Sequence, residues 1–353
     1  MGPLGFKLTA TSDSELLAAM IASHPAEDIR DAVAACMPRI KGAFSVVILS
    51  RGKVVGFRDP WGVRPLCIGR FEDGNYTLAS ESCALDIIGA EFLQEVKPGQ
   101  MAVITAGKLE LTQVVEPTRR QGFCIFEYIY FARPDSVING LNVSQARNRM
   151  GEELAHESPV EADMVIPIPD TGTPAAIGFA RASGIPYGEG LIKNRYVGRT
   201  FIQPDQNLRQ HGIRVKLNPL VHAIKGKRLV VVDDSIVRGN TTHKIVKMLY
   251  DAGAIEVHLR ISSPPITHSC FYGIDTATST ELIASEKTVE EIRRQVGANS
   301  LEYITLEGLQ RAVGMPADRF CRACFTGRYP IDVPDSLKMS KHRFEQVEKE
   351  PVA

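Results

Sequence analysis

Lys227 to Thr242 reads KRLVVVDDSIVRGNTT: an apolar run from Leu229 to Val232, two aspartates, then a loop rich in Ser, Gly, Asn and Thr. The β-branched run has the length of a buried strand, and the residues after it suit a turn that opens a helix. The acidic pair therefore stands at the carboxyl end of a strand, where open parallel sheets bind ligands. The N–H groups from Ser235 to Thr242 precede a helix N-terminus, a place that favours phosphate. For a DD pair in isolation, a strand-end turn whose aspartates only cap the helix is the commoner reading.

Outward from this stretch the same rhythm repeats. MVIPI (164–168) is followed by a small-residue helix from Thr173 to Ala182, RLVVV (228–232) by a helix from Thr241 to Asp251, and then comes VHLRI (257–261). Apolar strands alternating with helices predict an α/β unit with a parallel sheet. IPIPDTGTPAAIGFA (166–180) again runs from strand through a Gly/Thr loop to a helix. Its loop can wrap a pyrophosphate with backbone donors, and Thr171 can offer a hydroxyl to a metal, although an ordinary βα turn explains the loop equally well. Between the two loops, residues 191–220 carry Lys193, Arg195, Arg199, Arg209, Arg214 and Lys216 with little apolar periodicity. A stretch this long without structure, set between two phosphate loops, predicts a mobile lid.

Upstream the texture differs. Ser12 to about Ile40 has helical apolar spacing, with Ser12 or Asp13 as N-cap. Gly42 to Ile104 breaks into short β-rich runs punctuated by Gly, Asp and Pro, which predicts antiparallel hairpins with one short helix near Cys83 to Ile88. The polar segment EPTRRQG (116–122) reads as a boundary, and Lys338 to Glu350 as a charged tail. The 353 residues carry 41 Lys+Arg against 41 Asp+Glu, and 44% are apolar. That balance opposes disorder and opposes attachment to nucleic acid or membrane by bulk charge. No apolar run reaches the roughly eighteen residues of a membrane span, and the first residues lack a signal-peptide pattern. The expected address is the cytoplasm, where the seven cysteines stay reduced. Only Cys321 and Cys324 form a C-x-x-C; a redox pair, half a zinc site and chance all remain open, with zinc the metal that spacing favours. Cys36, Cys67 and Cys83 read as small core residues, and His222, His243 and His268 receive no role.

The DD loop fits the phosphoribosyl-diphosphate (PRPP) signature of type I phosphoribosyltransferases, an apolar run followed by DD-[ST]-x-x-x-G-x-[ST]. EYIYFARPDS (127–136), PDTGTPAAIGFA, KNRYVGRTFIQP, GIRVKLNP, VVVDDSIVRGNTT and SSPPITHSCFYGID follow in one order. Together they resemble the glutamine PRPP amidotransferase family, over about Leu8 to Pro334. The resemblance implies transfer of glutamine-derived ammonia to C1 of PRPP, giving 5-phosphoribosylamine and pyrophosphate in the first committed step of purine synthesis. It implies that Asp233 and Asp234 meet the ribose hydroxyls and, with Thr171, Mg²⁺. Ser235, Arg238, Gly239, Asn240 and Thr241 would cradle the 5′-phosphate; Asp170, Thr171, Gly172 and Thr173 the pyrophosphate; Lys193, Tyr196 and Arg199 would serve from the lid.

TSDSELL (11–17), GAFSVVIL (42–49), RDPWGVRPL (58–66) and LASES (78–82) resemble the later half of that family's glutaminase domain. The implied architecture is an α+β remnant of an N-terminal-nucleophile sandwich (1–115), a phosphoribosyltransferase domain (123–330) and a tail (331–353). Asp13 would hold the glutamine amino group, and Arg58, Asp59 and Arg64 would be structural or inter-domain residues. The family's nucleophile is a cysteine opening the mature chain, whereas this sequence opens with Met1 and Gly2 and lacks the family's GH-x-R-x-ST and GHNG segments. The expectation is therefore a fragment, a misplaced start or half of a split enzyme, using free ammonia and lacking glutaminase activity. In the family's iron–sulfur branch, cysteines stand where Cys124, Cys270, Cys321 and Cys324 stand here, which implies a structural [4Fe–4S] cluster. Purine nucleotides as feedback inhibitors and a homodimer or homotetramer are also implied. The rival is a non-catalytic PRPP- or nucleotide-binding regulator, opposed by the neutral charge and the lack of a helix-turn-helix segment.

Overall fold

The computed structural model describes residues 12–194, 217–274 and 281–334. The single helical stretch expected up to Ile40 is two helices, α1 (Asp13–Ala22) and α2 (Ile29–Cys36). Pro25 explains the break: it denies helical backbone to His24 and brings no N–H of its own. Asp28 then restarts the helix, its carboxylate accepting the Arg30 N–H at 2.9 Å. Ser12 caps α1, accepting the Ser14 N–H, so Asp13 is the first helical residue and not the cap.

The β-rich half is antiparallel throughout, as its turn chemistry predicted. Its strands are β1 (Ser45–Ser50), β2 (Lys53–Arg58), β3 (Cys67–Arg70), β4 (Tyr76–Ala79), β5 (Glu91–Glu95), β6 (Gln100–Thr105) and β7 (Lys108–Gln113), with α3 (Ser82–Ile87) between β4 and β5. They form one sheet in the order β1-β2-β6-β7 and a second in the order β4-β3-β5. Alternation sends Val55, Phe57, Met101 and Val103 to one face, under Ile21, Val33 and Met37 of the helical layer. On the opposite face Ala102 meets Leu66, Ile68 and Val96. The turn after β2 is pinned by Asp59, fully buried, which accepts N–H groups from Phe44 (3.1 Å), Trp61 (2.9 Å) and Val63 (3.2 Å).

The second half carries the parallel sheet. Helix α4 (Val143–Glu157) leads into β8 (Met164–Pro167) and α5 (Thr173–Ser183), followed by the ribbon β9 (Leu191–Lys193) with β10 (Leu217–Pro219). Then come β11 (Arg228–Asp233), α6 (Asn240–Asp251), β12 (Glu256–Ile261), α7 (Val289–Val296), β13 (Ser300–Tyr303) and α8 (Leu306–Val313). Four strands run parallel in the order β8-β11-β12-β13. Val165, Val230 and Val232 face α4 and α5. Ile166, Leu229 and Val231 face Ile245 and Val246 of α6 and Ile292 of α7. Helices thus cover both faces, which is why the central stretches of β8 and β11 read as apolar runs. The crossing of α4 over α5 is closed by two glycines: a Cβ on Gly151 would lie 1.8 Å from the Ala175 carbonyl oxygen, and one on Gly178 would lie 1.9 Å from that of Asn148. The stretch 191–220, expected to be without structure, begins and ends in the paired strands β9 and β10.

Candidate functional site

β8 and β11 are neighbours in register, Pro167 opposite Val232, so the loops leaving them emerge side by side. The Ile168 N–H donates to the Val232 carbonyl at 2.9 Å, continuing the pairing past the last strand residue. Gly172 admits the close approach that follows, because a Cβ there would sit 2.5 Å from the Val232 carbonyl oxygen. Two contacts then fix the buried Asp234. Thr171 Oγ donates to one carboxylate oxygen and Ser235 Oγ to the other, each at 2.5 Å. The Asp234 N–H donates to the Asp233 carboxylate at 2.9 Å. Burial pushes both carboxyls above the ordinary range. For Asp233 the adjacent Asp234 charge adds to this, whereas Asp234 is pulled back by Ser235, Thr171 and the Arg147 cation. Two like charges at a buried strand end form an oxygen donor set that a divalent cation would satisfy.

The loop beyond Asp234 reaches α6 through Gly239, at φ +76°, a conformation glycine adopts without strain. Among the described residues no acceptor meets the backbone N–H groups of Ser235 to Thr242. They surround the start of a twelve-residue helix, as an anion site requires. Arg238 stands in this loop with its Nη2 2.5 Å from Glu281 Oε2. On the opposite side Lys193, at the end of β9, forms an ion pair with Asp170 of the first loop. The structure thus brings together Asp170, Thr171, Gly172, Thr173, Lys193, Asp233, Asp234, Ser235, Arg238, Gly239, Asn240 and Thr241. Tyr196 and Arg199, with Arg195, Arg209, Arg214 and Lys216, lie outside the described residues. Asp13 is exposed at the start of α1, in the other half of the chain.

Four cysteines from three distant stretches converge elsewhere. Cys124 and Cys321 stand opposite one another on two-residue parallel strands, Phe123–Cys124 and Phe320–Cys321. Cys324 follows on the one-turn helix Ala323–Thr326. Cys270 Sγ accepts the Tyr272 N–H at 3.3 Å. Burial pushes the Cys124 and Cys324 thiols well up and Cys321 to about 11, and Cys270 adds to the rise in each of the three. Around them Phe126 and Phe325 stack at 5.6 Å, and Tyr272 and Tyr329 meet edge-on. None of the seven cysteines is in a disulfide. Among the described residues no group of three or more His, Cys, Asp or Glu side chains is closed up to metal-binding spacing. Cys36, Cys67 and Cys83 are buried in the other half, as small core residues.

Sequence reasoning passed over three charged residues. Arg147 on α4 is 1% exposed, its Nε donating to the Tyr128 carbonyl and its Nη2 to that of Ala132, both at 2.8 Å. The signal was an arginine inside the apolar stripe of Ala146, Met150 and Leu154. Glu127 opens a π-helical turn, Glu127–Phe131, and pairs with Arg64 at 3.0 Å across the two halves of the chain. Burial pushes its carboxyl up to about 7. Glu281 is the third, and nothing local to it pointed to Arg238.

A family model for glutamine amidotransferase domains matches residues 2–86. The amidophosphoribosyltransferase of Synechocystis sp. is 52% identical over 341 residues, covering 96% of this chain and 69% of that protein. The amidophosphoribosyltransferase of Archaeoglobus fulgidus is 50% identical over 334 residues, covering 94% and 73% respectively. The solved glutamine PRPP amidotransferase of B. subtilis, complexed with ADP and GMP, superposes with a TM-score of 0.86 at 48% identity, over 94% of this chain and 73% of that one.

Proposed function

The chain belongs to the amidophosphoribosyltransferase family, and from that premise we propose how its residues divide the work. The family's reaction is the first committed step of purine biosynthesis, a pentosyl transfer in which ammonia displaces pyrophosphate from PRPP. A regulator that binds without turnover is not favoured by this kinship.

Asp233 and Asp234 hold the ribose hydroxyls and, with Thr171, Mg²⁺; the hard oxygen donors at this strand end suit that ion. Bound there, the metal would supply charge stabilisation for the departing pyrophosphate. The loop Asp170–Thr173 receives the pyrophosphate through its backbone donors and Lys193. Ser235, Arg238, Gly239, Asn240 and Thr241 receive the 5′-phosphate. Tyr196 and Arg199 act from the stretch between β9 and β10, shielding the reacting carbon from water. Asp13, by the TSDSELL resemblance, is assigned to the glutamine amino group. The observation that carries this reading is the hydrogen bond joining Thr171 to Asp234, which welds the two loops into one floor.

Cys124, Cys270, Cys321 and Cys324 hold a [4Fe–4S] cluster that ties the carboxyl-terminal segment to the rest of the chain. The four convergent thiols and their aromatic wall support that reading. Residues 1–115 and 123–330 are assigned as glutaminase-type and phosphoribosyltransferase domains, with 331–353 as a tail. Purine nucleotides act as feedback inhibitors on a homodimer or homotetramer. No described helix is long and apolar enough to cross a membrane, and we place the protein in the cytoplasm.

The deciding experiment measures PRPP binding by calorimetry with and without Mg²⁺, alongside pyrophosphate release with ammonium as nitrogen source. Asp234→Asn is expected to abolish the Mg²⁺-dependent part of binding. Unchanged binding in that variant sinks the assignment.

A further inference from the structure

The loop assigned to the 5′-phosphate is not self-supporting. Residues 281–283 press against it at three points. The Ile283 N–H donates to the Val237 carbonyl at 2.9 Å. The Ile283 Cδ1 lies 2.7 Å from where a Cβ on Gly239 would stand, so that side chain packs directly onto the loop's left-handed turn. Glu281 Oε2 takes Arg238 Nη2 at 2.5 Å. Leu282 and Ile283 are buried at 1% and 7% exposure, Ile283 in the core beneath α6 and α7 and Leu282 in the core on the α4 and α5 side, which anchors this segment.

The ion pair itself is different in kind, since about half of each partner is exposed, with side chains 58% and 49% accessible. Such a pair contributes little to folding, so its use lies in geometry. A free arginine samples many rotamers and must give up that freedom when it binds an anion. A guanidinium held by one arm keeps its other N–H groups for a phosphate.

We propose that Glu281 is a positioning residue for substrate binding: it holds Arg238 over the loop so that the cation meets the 5′-phosphate already oriented. This rests on reading Ser235–Thr241 as the 5′-phosphate cradle.

Ribose 5-phosphate carries that phosphate and no pyrophosphate, so calorimetry with it at low ionic strength isolates the effect in the intact chain. Glu281→Ala is expected to weaken binding about three- to fivefold, the scale of an exposed ion pair. Glu281→Gln, which keeps an oxygen acceptor, should recover most of the loss. Arg238→Ala weakens binding more, and Glu281→Ala added to it should change nothing further, because the two residues act as a unit. In turnover the KM for PRPP rises by the same factor while kcat moves less than about twofold. Equal or tighter binding by Glu281→Ala overturns the proposal, since the carboxylate would then be competing for Arg238. An equal loss in the Arg238→Ala background also overturns it. If Arg238→Ala itself binds ribose 5-phosphate as tightly as the wild type, the cradle reading falls together with this inference.

Discussion

Thr171 and Asp234, 63 residues apart, meet across a 2.5 Å hydrogen bond in which the threonine hydroxyl donates to the carboxylate. Neither loop alone presents the geometry that the pair presents. The bond spans the carboxyl ends of two adjacent parallel strands, and it orients a carboxylate that burial would otherwise leave poorly compensated.

Thr171→Val keeps the shape and removes the donor. A hydrogen bond to a charged group contributes about 1.5–3 kcal/mol, so kcat/KM for PRPP is expected to fall roughly ten- to a hundredfold. Tm should also drop by a few degrees, because the buried Asp234 carboxylate loses one of its donors. An unchanged kcat/KM in a pyrophosphate-release assay would count against the shared floor.

Gly178→Ala places a methyl group 1.9 Å from the Asn148 carbonyl oxygen, where backbone, not a flexible side chain, must yield. The α4–α5 crossing should open, costing about 2–3 kcal/mol. Denaturant unfolding measures this, and a loss within experimental error would show that the helices separate freely.

Cys324→Ser should remove iron and the visible absorption band from anaerobically purified protein, while Cys36→Ser leaves both in place. The contrast follows from position, because Cys324 shares the apolar corner with Cys124 and Cys321, whereas Cys36 lies under the β-sandwich. Zinc without iron in the wild type would defeat the cluster assignment.

His258 is 8% exposed, between Ser300 Oγ and Glu256 Oε2 at 2.9 Å each. Burial holds its pKa below the usual histidine range, against the pull of Glu256. As pH falls, the unfolded chain therefore takes up the proton before the folded one. Its contribution is complete above the ordinary histidine value, near 6.5, and is lost as pH drops below it. Tm should fall between about pH 7 and pH 5.5, and His258→Gln should flatten that slope. A slope identical in the variant would assign the dependence to other groups.

Much of the fold was legible because its cause is local. LVVV (229–232) and MVIPI read as strands since their apolar residues pack against helical layers on both faces of the sheet, and the β-rich half read as hairpins from its turn residues. Pro25 and Asp28 could also have been read as a helix break, yet apolar periodicity ran through them and hid it. β13 escaped notice because SLEY is short and carries Glu302, and a strand of that kind is recognisable only beside β12.

The sequence by itself determined the strand–acid–loop–helix units, and hence that the proposed anion and cation sites fall at the ends of β8 and β11. Those features depend on residues within a few positions of one another, where backbone sterics and hydrogen bonding act without a fold. Only the tertiary structure decided that Thr171 donates to Asp234, that Cys124 stands opposite Cys321, that Arg64 reaches Glu127, and that Glu281 holds Arg238. Each of these pairs is set by strand register and helix packing across long separations, and nothing local to either partner specifies the other.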